Sequence, residues 1–362
     1  KGRCNLTNNV EIPDFLNNVV NNPKFLYGAI SYLSPADVIR FFEENECRLK
    51  TERGNRVFPE SDKASDITGT LQNVLTKSGV KIFLNTAATG IETQNGKVCG
   101  VRTENGVIPC DSVIVCTGGL SYPRTGSTGD GYRFAKSLGH SITDLKPSLV
   151  GLELKGNDFI NLQGLSLKNV SVSFLSGDKV LYSDFGEMLF THFGVSGPTV
   201  LSASCILNRS NAHDIILKID LKPALSEKVL NDRLIREFEA GKTKSLSNVI
   251  RLIIPHALGE TVLYRAGING DKRCCEVSKV ERGSLIYALK NLEFKVKGLR
   301  PIEEAIITAG GVSVKEINPK TMESKIVKGL FFAGEVLDID AFTGGFNIQI
   351  AFSTGYAAGK NA

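Results

Sequence analysis

Two short stretches place groups capable of chemistry at the ends of regular elements. Glu335 follows Gly334 at the end of the apolar run Leu330 to Ala333, which has the form of a strand buried on both faces of a parallel sheet. A carboxylate there stands at the C-terminal edge of a sheet, where open α/β folds bind ligands. After a short loop come Thr343, Gly344 and Gly345, then Phe346, Asn347 and Ile348, which open a proline-free helical pattern continued by Ile350, Ala351, Ala357 and Ala358. A helix that starts on Gly-Gly presents unpaired N–H groups and the positive end of its dipole. It suits a group that becomes anionic.

Other candidates are spread along the chain. Within Gly2 to Asn8, Arg3 can pair with a phosphate, and Asn5 and Thr7 offer side-chain hydrogen bonds. Tyr122 and Arg124 lie in a loop after the run Val113 to Cys116 and the small-residue turn Thr117, Gly118 and Gly119. They are a candidate proton donor and a candidate carboxylate or carbonyl clamp. His192, in Phe190-Thr-His-Phe193, has the side chain whose ordinary pKa lies nearest neutrality.

The elements that position these residues follow from local signals. Ser34-Pro35 starts a helix, and a hairpin around Gly54-Asn55 spans Arg48 to Phe58. A further helix covers 62 to 77, and a short strand is expected over Val80 to Leu84. Asn95-Gly96 and Asn105-Gly106 are two hairpin signals that make a three-strand meander, with Asp111 to Cys116 closing it. A helix from Thr128 to Leu138 stops at Gly139. From Pro147 the pattern changes to short period-two runs, Val150 to Leu154, Leu165 to Phe174, Lys179 to Ser183 and Glu187 to Phe190, which suggest a barrel-like sheet. Helical periodicity follows over 225 to 239 and 244 to 258, then mixed and strand-like signals over 279 to 294. Pro301 to Val314 returns to the first sheet through the small-residue turn Thr308 to Gly311.

The ordered string Gly-Glu, Thr-Gly-Gly-Phe-Asn-Ile, together with Lys1-Gly-Arg-Cys-Asn-Leu-Thr-Asn8, Arg56-Val-Phe-Pro-Glu60 and Gly186-Glu-Met-Leu-Phe-Thr-His-Phe-Gly-Val-Ser-Gly-Pro198, resembles the HI0933-like flavoproteins, the group that includes the BaiN-type oxidoreductases. The resemblance spans essentially the whole chain. It implies an α/β fold: a Rossmann-like FAD-binding domain of the two-dinucleotide-binding-domain type, discontinuous over 1–147 and 301–362, with an inserted β-barrel and helical domain at 148–300 serving as substrate domain or lid. Because no G-x-G-x-x-G occurs in the chain, the resemblance also implies that the first βαβ unit, roughly 40 residues, precedes Lys1 in the family.

By the same resemblance, Glu335 binds the flavin ribityl chain and the helix start at Thr343 to Ile348 faces the isoalloxazine. Arg3, Asn5 and Thr7 lie along the diphosphate and ribityl portion, main-chain atoms near Ala87 and Ala88 meet the adenine, and Thr117 to Gly119 lie beside the FAD. The implied activity is hydride transfer from NADH or NADPH through flavin N5 to an activated C=C bond of a hydrophobic small molecule, with Tyr122 or His192 supplying a proton. An amine or aminoketone oxidase that makes peroxide, and a flavin-binding or nucleic-acid-binding module without turnover, are the alternatives.

Composition narrows the classes. At 362 residues with 42% apolar content, the chain suits a soluble protein of about two or three domains. No apolar run approaches the length of a membrane span. The net charge of +5 is mild, and Lys and Arg look scattered along the chain, so no nucleic-acid partner and no membrane insertion are expected. Eight cysteines without C-x-x-C or zinc-type spacing, with four histidines, point to free thiols in a reducing cytoplasm and to no metal centre. Cys274-Cys275 reads as one buried and one exposed thiol.

Overall fold

The computed structural model describes residues 2–362. The chain divides into two units, one of Lys1–Ser148 with Pro301–Ala362 and one of Leu149–Arg300.

In the first unit the hairpin Leu49–Glu52 and Arg56–Pro59 takes Thr7–Asn8 as a third antiparallel strand, with Thr7 opposite Val57. Asn55 at φ 58° makes the turn. Ser34 caps the helix Pro35–Glu44 in a full capping box with Asp37, which satisfies two of the helix's free donors. The helix Ala64–Lys77 follows. The meander forms as three antiparallel strands, Ala88–Gln94, Lys97–Thr103 and Gly106–Pro109. Val113–Val115 does not close it. That strand pairs in parallel with Leu330–Phe332, Val115 opposite Phe332, because Val115 gains a fully buried partner run there, whereas the meander strand Gly106–Pro109 is exposed throughout and offers no apolar face to bury. The turn after Leu330–Phe332 and the helix Phe346–Asn361 then carry Glu335 and the Gly-Gly pair. The core beneath them holds Phe15, Phe332, Val336, Phe346 and Ile350, with the Phe15 and Phe346 rings edge-on at 5.3 Å.

Val80 to Leu84 forms no strand. Val80, Ile82, Phe83 and Leu84 lie in irregular backbone and are 50 to 78% exposed. None of the described strands pairs with them, and an unpaired apolar run cannot hold strand geometry.

The second unit is built on a closed barrel of six strands in the order Ser166–Ser176, Lys179–Thr191, Gly194–Ser196, Leu152–Leu154, Leu292–Leu299 and Ile216–Asp220. Closure removes every open edge. The elements of this unit differ from expectation at three places. The runs Lys179 to Ser183 and Glu187 to Phe190 are one strand, since Asp184, Phe185 and Gly186 keep register with Val172, Ser171 and Val170. Residues 279–294 are a helix, Lys279–Lys290, before the strand begins at Leu292. Ser278 and Glu281 close a capping box at its start, and Leu285, Ile286, Ala288 and Leu289 bury one face. The expected helix over 244 to 258 is split into Leu246–Ile250 and Leu258–Ala266, with Pro255 between them. Phe190 and Phe294 meet edge-on at 5.5 Å inside this unit's own core.

All eight cysteines are free, with Cys274 buried and Cys275 exposed. Among the described residues no group of side chains could hold a metal ion. None of the described helices is long and apolar enough to cross a membrane.

Candidate cofactor site

The helix start is assembled by the N-terminal strand. Gly345 is the residue before the helix, at φ 99°, and no side chain caps the first turn. A Cβ on Gly345 would lie 2.4 Å from the Thr7 carbonyl oxygen and 2.8 Å from Asn5 Oδ1. Only glycine permits both the backbone angle and the close approach. Asn8 donates through Nδ2 to the Gly344 carbonyl at 2.9 Å and to the Gly54 carbonyl at 3.0 Å. Thr7 Oγ1 donates to Gln349 Oε1 at 2.6 Å, and Gln349 Nε2 donates to the Leu33 carbonyl at 3.0 Å. The strand, the hairpin and the helix are thereby locked into one frame around unpaired N–H groups.

A second cluster gathers at the ends of the parallel strands. Glu335 Oε1 accepts the Thr308 N–H at 2.8 Å. Thr308 Oγ1 accepts the N–H groups of Leu120 and Ser121 at 2.8 and 3.1 Å. A Cβ on Gly119 would lie 2.4 Å from Thr308 Oγ1 and 2.7 Å from Glu335 Oε1, so the turn after Val113–Val115 presses directly on both groups. Burial pushes the Glu335 carboxyl above its usual range, with the Thr308 hydrogen bonds opposing and the Asp340 charge adding to the rise. A cavity of about 140 Å³ opens beside Glu335, Asn347 and Ile348.

The remaining sequence candidates fall as follows. Arg3 is engaged by Glu52 at 2.5 Å and Asp62 at 2.6 Å, and stacks over the Phe58 ring at 4.0 Å. Thr117 Oγ1 is buried without a partner. Tyr122 holds a left-handed backbone, φ 52°, and is 49% exposed, and Arg124 beside it is exposed. A non-glycine residue at such an angle is strained, and strain of this kind gathers at functional loops. Ala88 begins the first meander strand, with Ala87 just before it. Thr343 and Ile348 are exposed, Phe346 packs into the core, and Asn347 closes the preceding loop by pairing with the Ala341 N–H and carbonyl, both at 2.9 Å. His192 belongs to the second unit, exposed and edge-on to Phe193 at 5.0 Å.

Asn8 and Gln349 belong to this candidate site without being singled out by the sequence, which marks Thr308 only as the start of a small-residue turn. Gln349 carried a signal, being a lone amide on the apolar face of a helix, where burial demands partners. Asn8 carried none beyond its place after Asn5 and Thr7.

The residues fit a flavin. An uncapped helix start and unpaired buried oxygens at Asn5, Asn8 and Thr117 offer donors and acceptors that the protein does not itself satisfy, and beside them stands a half-buried carboxylate at a strand end, with one oxygen held by Thr308.

Comparison with known proteins identifies the family. The family model described as HI0933-like protein Rossmann domain matches residues 1–361. The chain is 29% identical to a 3-dehydro-bile acid delta(4,6)-reductase of Clostridium scindens over 375 aligned residues, covering all of this chain and 88% of that protein. It is 32% identical to a ribosomal RNA dihydrouridine synthase of Haemophilus influenzae, covering 98% of this chain and 86% of that one. Among solved structures, a variant of the Escherichia coli quinol fumarate reductase subunit FrdA superposes with a TM-score of 0.46 at 16% identity, covering 99% of this chain. The chain spans 61% of that protein's length. On the match over its whole length, this chain belongs to the HI0933-like family and carries that family's Rossmann domain.

Proposed function

We propose that this protein reduces a C=C bond conjugated to a carbonyl, with NADH or NADPH as electron source and a hydrophobic small molecule as substrate. The chain is an FAD-dependent oxidoreductase. FAD, when bound, supplies a carrier that accepts and returns a hydride. The observation that carries the reading is the uncapped start of Phe346–Asn361, held open by Gly344 and Gly345. Its N–H groups favour negative charge in front of them, and preorganised donors of this kind contribute on the order of 3 kcal/mol to a developing anion. Glu335 orients hydroxyl groups by accepting their hydrogen bonds, and Thr308 holds it in place. Tyr122 is the proposed proton donor, Arg124 the proposed carbonyl clamp, and His192 the alternative donor.

The names of the relatives support the class of bond. A 3-dehydro acid with delta(4,6) unsaturation is a conjugated ketone, and dihydrouridine is uridine whose 5,6 double bond, conjugated to a carbonyl, has taken up two hydrogens.

A second reading, a uracil ring in RNA as substrate, is favoured by the charge distribution. Residues 221–290 hold 13 Lys and Arg against 8 Asp and Glu, an excess as large as the net +5 of the whole chain, while the other residues balance. Tyr264 and Tyr287, on two helices of this segment, are 78 and 64% exposed. Exposed aromatic faces and a basic excess are what single-stranded RNA uses.

Single-turnover reoxidation separates the readings. The flavin-loaded protein, reduced anaerobically, is mixed with a hydrophobic cyclic enone or with uridine-containing RNA. Fast reoxidation by the enone supports the small-molecule reading, and fast reoxidation by RNA alone replaces it with the second. Reoxidation by neither, with fast peroxide formation in air, contradicts the reductase.

A further inference from the structure

Asn5 and Asn8 each bury a side-chain oxygen that has no hydrogen-bond partner. Asn8 is 3% exposed, and its orientation is fixed. Nδ2 donates to two carbonyls, of Gly344 and Gly54, and turning the amide over would set its oxygen against both. Oδ1 is therefore an acceptor that the fold itself leaves unanswered. Asn5 Oδ1 lies at the same helix start, 2.8 Å from the position a Cβ on Gly345 would take. Buried acceptors are almost always paired, and an orphan signals a donor that comes from outside the chain. Next to these two acceptors the first turn of Phe346–Asn361 has the opposite need, N–H donors without a cap.

Acceptors and donors side by side match one chemical pattern, an N–H flanked by carbonyl oxygens. We infer that Asn5 and Asn8 are the acceptor half of an imide-reading subsite, in which an Oδ1 takes the ligand's imide N–H and the helix start takes the neighbouring carbonyl oxygen. Two ligands of the proposed reaction carry that edge: the pyrimidine ring of the flavin, at N3–H, and uracil, also at N3–H. The inference rests on the proposed flavin chemistry. It goes further by assigning a recognition role to Asn8 and by naming the ligand edge that Asn5 reads.

Methylation of the imide nitrogen removes the donor and adds bulk without touching the protein. Binding of FAD and of N3-methyl-FAD to the flavin-free protein is followed by fluorescence. Displacement of bound uridine against N3-methyluridine is followed on the flavin-loaded protein. The expected result is a 10- to 100-fold loss of affinity on methylation, the size set by an unpaired buried acceptor, shrinking to less than about 3-fold in Asn8→Ala or Asn5→Ala. Loss with the flavin analogue assigns the subsite to the cofactor, and loss with the uridine analogue alone assigns it to a uracil substrate. Equal binding of methylated and parent compounds in both arms overturns the subsite. Failure of the protein to bind FAD at all refutes the flavin reading instead, and the uridine arm is then run on the flavin-free protein, where equal binding of uridine and N3-methyluridine overturns the subsite. The unsubstituted protein carries the test, so a poorly folded Asn8→Ala variant does not weaken it.

Discussion

At the scale of single residues, Glu335 and His140 both sit where burial works against charge. The Glu335 carboxyl is raised by burial, so between the ordinary glutamate value and its raised folded value the folded state holds more protons than the unfolded chain. Stability therefore falls as pH rises through that window. Glu335→Gln in the flavin-free protein is expected to flatten this fall in a melting-temperature series, while weakening FAD binding by about 10-fold through loss of the ionised acceptor. His140 is the reverse case. It is 3% exposed, shares hydrogen bonds with Glu316 Oε2 at 3.2 Å and Ser324 Oγ at 2.8 Å, and lies edge-on to Phe332 at 5.1 Å. Burial pushes its pKa down, outweighing the hydrogen bond and charge of Glu316. The unfolded chain then binds the extra proton, so stability drops as pH falls below the unfolded histidine value of about 6.5. Melting temperature should decline between pH 7.5 and 5, and His140→Gln should remove most of the decline; an unchanged slope in that variant would place its origin elsewhere. For Tyr122→Phe the expected outcome is a loss of roughly 100-fold in kcat with FAD affinity unchanged, and an equal loss in both would make the residue structural.

At the scale of elements, the glycine pair is the most sensitive point. Gly345→Ala places a Cβ 2.4 Å from the Thr7 oxygen at φ 99°, and is expected to destabilise by about 2–4 kcal/mol, read as a lower denaturant midpoint. A variant as stable as the parent would show that the strand Thr7–Asn8 can retreat. The same scale shows what the sequence can and cannot say. Asn95-Gly96 and Asn105-Gly106 name their own turns, and Ser34 with Asp37 names a helix start, because each works through neighbours three or four residues away. The helix Lys279–Lys290 was open to the same reading through Ser278 and Glu281, yet Val280 and Gly283 blurred its periodicity. Val80 to Leu84 has the composition of a strand, but strand formation depends on a partner that local sequence does not name. Glu335 and Gly344-Gly345 were legible as site residues since a strand end and a helix start are local features. The unanswered Asn8 oxygen was not, as it depends on two carbonyls 46 and 336 residues away.

At the scale of the whole molecule, each unit has its own hydrophobic core, and the net positive charge belongs to one helical segment of the second unit. Along the sequence Lys and Arg look scattered, because the excess emerges only when charges are counted within limits that the fold defines. Reversing Lys242, Lys244 and Arg273 to Glu tests the RNA reading. Ser245 bridges Arg273 and the Cys274 and Cys275 N–H groups bond to the Lys244 and Lys242 carbonyls, so the three cations sit on adjoining backbone. The triple variant should bind RNA at least 10-fold more weakly at low salt, with a shallower salt dependence. Unaltered affinity would leave the small-molecule reading as the better account.

A flavin reductase whose helix start and Glu335 hold FAD has a direct signature in the visible spectrum of the flavin-loaded protein before and after anaerobic addition of NADH or NADPH. One flavin per chain is expected, with bands that bleach fully on adding one of the two nucleotides. A protein that takes up no flavin, or whose flavin stays oxidised with both nucleotides, would contradict it.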